Sequence, residues 1–231
     1  MVGIDRVYQT VQKILNKEQR GYLPPVEFNL FANQAQQEIF GAYFALRNYV
    51  TSNSSDYSDI QRKVEEKISL FENEETIAKS SFSNAGGNTT SDYYAYPANF
   101  YTLVAVEAAG YRAEEVSSKN FTYVKRSKYT KPSEKNPIYV RHEGGVVVLP
   151  DDITSINIQY IRKPIEAQWN YTTVNNKPLY NADTSVNFEL HDSEITELVL
   201  KICQYAGLST KSVDVAQAAA QKEQQVTQSE R

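Results

Sequence analysis

The spacing of apolar residues changes period twice along the chain, and the changes divide it into three stretches. From Val2 to Lys17, the residues Ile4, Val7, Val11, Ile14 and Leu15 fall on one stripe at helical spacing. Gly21 ends that pattern, and Pro24-Pro25 opens a second helix, because a proline in the first turn lacks only an N–H that would go unpaired anyway. This second helix is expected from Pro25 to Tyr49. Phe28, Phe31, Ala35, Ile39, Ala42, Tyr43 and Leu46 lie along one face; Asn33, Gln34, Gln37, Glu38 and Arg47 lie on the other. A polar connection from Thr51 to Tyr57 leads to a third expected helix, Ser58 to Lys79, with a narrow stripe of Ile60, Val64, Ile68 and Phe71 among dense charges.

Ser80 to Asp92 is Ser, Asn, Gly and Thr, which offers too little apolar surface to hold an element, so an irregular loop is expected there. The period then drops to two. Tyr101 to Ala109 reads as a strand closed by Gly110, and Asn120 to Lys125 as a weaker one. Ile138 to His142 and Val146 to Leu149 flank Glu143-Gly144-Gly145, a hairpin signal, because glycine takes a positive φ without steric cost. Pro150-Asp151-Asp152 forms the next turn, and Ser155 to Arg162 alternates as a half-buried strand does. Pro164 to Phe188 is expected to be an irregular loop carrying Trp169.

The helical period returns at Asp192 or Ser193, either of which is a good N-cap, with Glu194 in the first turn. Ile195, Leu198, Val199, Ile202 and Cys203 form its stripe, and Gly207 is the expected stop. Thr210 to Gln228 has high helix propensity and almost no apolar stripe, so in water it would be marginal without a partner. The expected fold class is α+β: a helical bundle from the N- and C-terminal segments with an inserted antiparallel β lobe. The expected divisions are 1–79 for the helical platform, 80–190 for the lobe and its loops, and 191–231 for the closing helix and polar tail.

Composition changes this picture in one respect. The chain has 17 Tyr against 9 Phe and one Trp, and tyrosine suits surfaces that are wet before assembly and buried after it. The net charge of -4 does not give the whole chain the basic field of a nucleic-acid binder. The most basic run, Lys125-Arg126-Ser127-Lys128-Tyr129-Thr130-Lys131, reads first as a solvated loop. A single cysteine rules out an internal disulfide. The start has no signal-peptide core, and no window reaches the ~18 apolar residues of a membrane span, so a cytosolic, reducing site of synthesis is expected.

Candidate chemistry is sparse. His142 and His191 lack a partner at metal-ligand spacing, and no thiolate cluster exists for zinc. A Cys203–His191 pair would require a reactive thiol, yet Cys203 sits on the buried stripe of its helix. Asp151-Asp152 follows proline in a turn, where aspartates bond to local backbone. No catalytic residue, cofactor or metal is expected.

Two short phrases carry a resemblance. They are Pro97-Ala98-Asn99-Phe100-Tyr101-Thr102-Leu103-Val104-Ala105-Val106 and Tyr160-Ile161-Arg162-Lys163-Pro164, set between the helices described and followed by the capped helix Asp192-Ser193-Glu194-Ile195-Thr196-Glu197-Leu198-Val199. In this order the chain resembles the adaptor, or tail tubular protein A-like, family of head-to-tail connector proteins in short-tailed bacteriophages. Its Asn/Gln/Tyr-rich style is similar to that of crAss-like phage ring proteins. The resemblance implies a virion protein, assembled in the host cytoplasm, that forms a ring of twelve copies beneath the portal protein. The ring would contact a downstream tail ring or nozzle protein, and genomic DNA would pass through its channel without sequence-specific binding. It further implies that the tail docks into the portal, through Lys211, Val213, Val215, Ala218, Gln221, Gln224 and Gln225. Subunit contacts on the second helix would use Phe31, Gln34, Glu38, Tyr43 and Arg47. The free subunit is expected to be a monomer that assembles only on a portal. The competing reading is a carbohydrate- or peptide-binding module, with Trp169, Tyr171 and Tyr180 as a stacking platform.

Overall fold

A computed structural model describes residues 2–17, 22–52, 58–83, 89–175 and 177–209. The chain is mixed α+β with largely antiparallel sheets. It divides into two compact units, one from Met1–Leu70 with Pro164–Arg231 and one from Phe71–Lys163. These breaks fall earlier than the expected ones after 79 and 190.

In the helical unit, α1 (Ile4–Lys17) buries Ile4, Val7, Val11 and Leu15, while Ile14, at the margin of the stripe, is exposed. The first turn of a helix has N–H groups without helical acceptors; here Asn187 Oδ1 accepts from Ile4 N at 3.0 Å. α2 (Pro25–Ser52) buries Phe28, Ala32, Ala35, Ile39, Phe40 and Tyr43 and packs on α3 (Ser58–Ser69) and α5 (Ile195–Ser209). α5 buries Leu198, Ile202 and Ala206, spaced four apart, with Val199 and Cys203 beside them. It runs through Gly207 rather than stopping there. A short 3-10 turn, Asp192–Glu194, precedes it, and neither expected residue is its cap: the ring of His191 accepts from Ser193 N.

The third helix stops at Ser69, ten residues short of the expected end, and Glu72–Ala78 is a strand, β1. The reason lies in the stripe. Phe71 is its last apolar member and is fully buried, and Glu74 and Glu75 give a further turn nothing to pack with. As a strand the same residues pair with β9 (Ser155–Arg162) from Glu72↔Ile161 to Ala78↔Ser155. Asn73, Glu75 and Ile77 then share the face of Tyr160, Ile158 and Ile156, and Asn73 Nδ2 donates to the Tyr160 hydroxyl at 2.9 Å.

Ser80 to Asp92 also departs from expectation. Ser80–Ser83 is β2 and Thr89–Ala95 is β3, paired antiparallel with a register shift between Ser80 and Phe82. Ser80 Oγ donates to Tyr93 O across the pair at 3.1 Å, and the buried side chains are Tyr93 and Tyr94, just beyond the polar stretch, so a composition without apolar periodicity did not reveal it. β4 (Phe100–Ala108) turns through Ala109 and Gly110, both at positive φ, into β5 (Tyr111–Arg112). β6 is Glu114–Glu115, and β7 (Ile138–His142) and β8 (Gly145–Leu149) form the expected hairpin, with Gly144 at φ 77°. The second expected strand, Asn120 to Lys125, is instead a helix, α4 (Ser118–Arg126). Phe121 and Val124 lie one turn apart and both half-buried, and Lys125 and Arg126 favour its C-terminal end.

The β unit is a sandwich. One sheet has the order β1-β9-β4-β5, the other β2-β3-β8-β7-β6, with β6 and β7 parallel. Leu103, Val106, Ala108, Ile156, Ile158 and Tyr160 from the first sheet pack against Tyr94, Tyr139, Val146 and Val148 from the second. On the opposite face of the second sheet, Tyr93, Val140 and Val147 are covered by Phe121 of α4. Gly145 is fixed by a close approach: a Cβ there would lie 2.2 Å from the Tyr94 carbonyl oxygen.

Candidate functional site

One face of α2 is organised by three amides. Asn29 accepts from Trp169 N at 2.8 Å and donates to Trp169 O at 3.2 Å. Asn33 treats Ala167 the same way, at 2.8 and 3.0 Å. Gln36 donates to Ile165 O at 2.7 Å and accepts from Glu189 N at 3.2 Å. Each amide presents one donor and one acceptor, as a strand's backbone does, so α2 pairs with an extended segment without leaving the helical conformation. Asn33 was expected on the solvated face and is instead half-buried; Gln36 is 1% exposed. The spacing of amides at 29, 33 and 36, one helical face, was the available signal.

The clasped segment carries Trp169. Its indole N–H donates to Asp5 Oδ1 at 3.0 Å, and its ring lies 4.3 Å from Tyr8, 5.8 Å from Tyr171 and 5.7 Å from Tyr180. The irregular loop expected here contains a small hairpin, β10 (Tyr171–Val174) with β11 (Lys177–Tyr180). The three rings of the stacking platform do come together. Trp169, however, is 3% exposed and packed as core, so it has little face to give a ligand.

The α2–α5 seam takes up most of the expected subunit contacts. Glu38 accepts from the Tyr205 hydroxyl at 2.6 Å and lies 3.1 Å from Lys201 Nζ, whose side chain is 5% exposed. Burial works to raise the Glu38 carboxyl, but the Tyr205 hydrogen bond and Lys201 together outweigh it and hold the group below the usual glutamate range. Phe31 stacks on Tyr205 at 6.3 Å. Tyr43 is 5% exposed; burial, with the nearby carboxylates of Glu194 and Glu197 adding to it, pushes its phenol far up. A residue so enclosed has no surface for a neighbouring subunit, which corrects its expected role. Lys67 sits 5.6 Å from the Tyr43 ring centroid and bonds Glu194 Oε1 at 2.5 Å. Arg47 lies 5.5 Å from the Phe44 ring centroid. Gln34 is exposed, in a groove of about 580 Å³ lined also by Val26, Leu30, Gln37 and Glu166; Val26 and Leu30 are more than two-thirds exposed.

The groups with reactive potential are scattered. Burial pushes the Cys203 thiol up to about 11, so at neutral pH it is a thiol, not a nucleophilic thiolate. Asp151 meets Lys79 through its backbone oxygen at 2.5 Å and Lys125 through its carboxylate at 3.5 Å. Among the described residues no three His, Cys, Asp or Glu side chains gather to hold a metal, and no helix is long and apolar enough to cross a membrane. The expected docking residues Lys211, Val213, Val215, Ala218, Gln221, Gln224 and Gln225 lie outside the described residues.

The β unit carries charge on both outer faces. Glu72 and Glu74 of β1 line a groove of about 440 Å³ with Val104, Gln159 and Tyr160, and Glu74 bonds the Asn157 amide. Lys119, Lys125, Arg126, Lys128 and Lys131 are exposed on α4 and the loop after it. No protein-family model matches the chain, and no curated protein matches it.

Proposed function

We propose that this chain is a structural subunit of a phage head-to-tail connector ring that docks beneath the portal and continues the DNA channel into the tail. Its architecture would be a helical bundle from both chain ends with the β lobe inserted. The observation that carries this reading is the place of the two phrases that resemble the adaptor family. They form the neighbouring strands β4 and β9, with Phe100 opposite Arg162 and Leu103 opposite Tyr160, and Lys163 N donates to Asn99 O at 2.7 Å. Phe100 stacks on Tyr96 at 3.7 Å and on Tyr160 at 6.0 Å. The phrases are thus joined across one pair of neighbouring strands, the second of them at the end of the β unit.

The division of labour follows from this. The helical unit and the polar tail would make the portal contacts, and the β unit would meet the downstream ring or nozzle protein. Interfaces would be heterologous, since a closed ring joins one surface of each copy to a different surface of the next. Mixing the purified chain with portal rings tests the reading by native mass spectrometry: stoichiometric addition of ring copies supports it, and a chain that ignores the portal refutes it.

A further inference from the structure

The acidic and basic surfaces of the β unit lie on opposite sides of the sandwich. On β9, Ile156, Ile158 and Tyr160 point into the inter-sheet core, so the alternating Asn157 and Gln159 point outward. Glu74 faces Gln159 across the β1–β9 pair, and Glu72 is two residues along β1 on the same side. On the second sheet, Tyr94, Tyr139, Val146 and Val148 point into the core, while Tyr93, Val140 and Val147 point away and receive Phe121 of α4. With Phe121 inward, Lys119, Tyr123 and Arg126 form the outward stripe of α4, at spacings of four and three. Tyr123 is 78% exposed and Tyr129, between Lys128 and Lys131, is 98% exposed. Tyrosine and arginine are enriched at protein interfaces relative to the rest of the surface.

We infer that these two faces pair between copies of this chain, the Lys119–Tyr123–Arg126 stripe and Lys128–Tyr129 of one copy seating on the Glu72–Glu74–Val104 groove of the next. Charge complementarity selects the occupant: the acidic groove offers the carboxylates of Glu72 and Glu74 beside Val104, and the basic face offers cations around tyrosine rings. Because the faces are opposite, each pairing leaves one acidic and one basic face free, so the contact is heterologous and repeats. The inference deepens the ring reading and rests on it for closure into a ring, though not for the pairing itself. Exposed ion pairs contribute little each, so the pairing of two free copies is weak and salt-dependent, which departs from the expectation of a free subunit that assembles only on a portal.

The test is sedimentation velocity of the full chain over a concentration series, at about 0.01 M and about 1 M salt, where the screening length falls from roughly 30 to roughly 3 Å. The wild type is expected to associate at low salt and not at high salt. Glu72→Lys with Glu74→Lys gives a copy with two basic faces; Arg126→Glu with Lys128→Glu gives one with two acidic faces. Each alone is expected to associate on the order of tenfold more weakly or worse, since like charges then meet. Their equimolar mixture is expected to regain association, because each reversed face complements one on the other variant, a rescue that misfolded variants would not give. Variants that associate as the wild type does, a mixture that stays dissociated, or a wild type with no salt-dependent association would each overturn the pairing. So would a basic-face variant that loses binding to a short duplex DNA while self-association is unchanged, which assigns that face to nucleic acid. None of these outcomes touches the ring reading, which stands or falls on portal binding.

Discussion

In the helical unit, polar side chains are drawn inward: Asn29, Asn33 and Gln36 clasp the backbone of an extended segment, and Lys201 and Glu194 are buried against partners. In the β unit the buried set is almost entirely apolar, and the charges of Glu72, Glu74 and α4 stay on the outer faces. The difference follows from geometry. A sheet satisfies its backbone through its own ladders and needs only an apolar face to pack. A helix satisfies only itself, so an extended segment laid on it brings unpaired N–H and C=O groups that α2 must answer with side chains. The β unit thus keeps its polar residues available for partners, and the helical unit commits many of its own internally.

That contrast predicts where truncations hurt most. Ile158→Ala, at a fully buried position of the sandwich, is expected to cost about 2–5 kcal/mol through lost burial and the cavity left behind, read from urea midpoints. Asn33→Leu is expected to cost about 2–4 kcal/mol by orphaning Ala167 N and O together, while Asn33→Asp, which keeps the acceptor, costs roughly half as much. If the two variants are equally harmless, the clasp is decorative and the contrast fails. Gly145→Ala is expected to cost about 1–3 kcal/mol, because its Cβ must displace the Tyr94 backbone.

What could be read from the sequence divides along the same line. The stripe of α1, the alternation of β9 from Ser155 to Arg162 and the Gly144 turn all rest on apolar period or φ preference, and the structure has them where the residues place them. β1 and β3 rest on pairing with a distant strand, and no local pattern of Glu, Ser or Thr announces a partner more than fifty residues away, as Glu75 with Ile158 and Tyr93 with Val147 show; β2 pairs with β3 alone, in a stretch without apolar period. α4 was misread because its six central residues fit both periods, and the Tyr93–Val140–Val147 face decided between them. The amides at 29, 33 and 36 fall on one helical face, but Asn33 is grouped by its polarity with the solvated residues, and nothing local to the helix names the extended segment they meet.

The smallest expected effect concerns acid. Glu38 is held below its ordinary range in the fold, so its contribution is present above the unfolded-state pKa and is lost as pH falls through the lower, folded one. Its side chain is about half exposed, so solvent screens the effect. The difference in urea midpoint between wild type and Glu38→Gln should therefore be modest at neutral pH and vanish in acid. A difference that grows on acidification would reverse the assignment.

The most direct test of the connector reading is native mass spectrometry of the full chain mixed with portal rings. The account predicts a complex in which ring copies add stoichiometrically to the portal, twelve to a ring, while the same chain truncated after Gly207 fails to join. A chain that remains monomeric beside the portal would contradict the central claim; a truncated chain that still joins would leave the ring and remove the tail from the docking site.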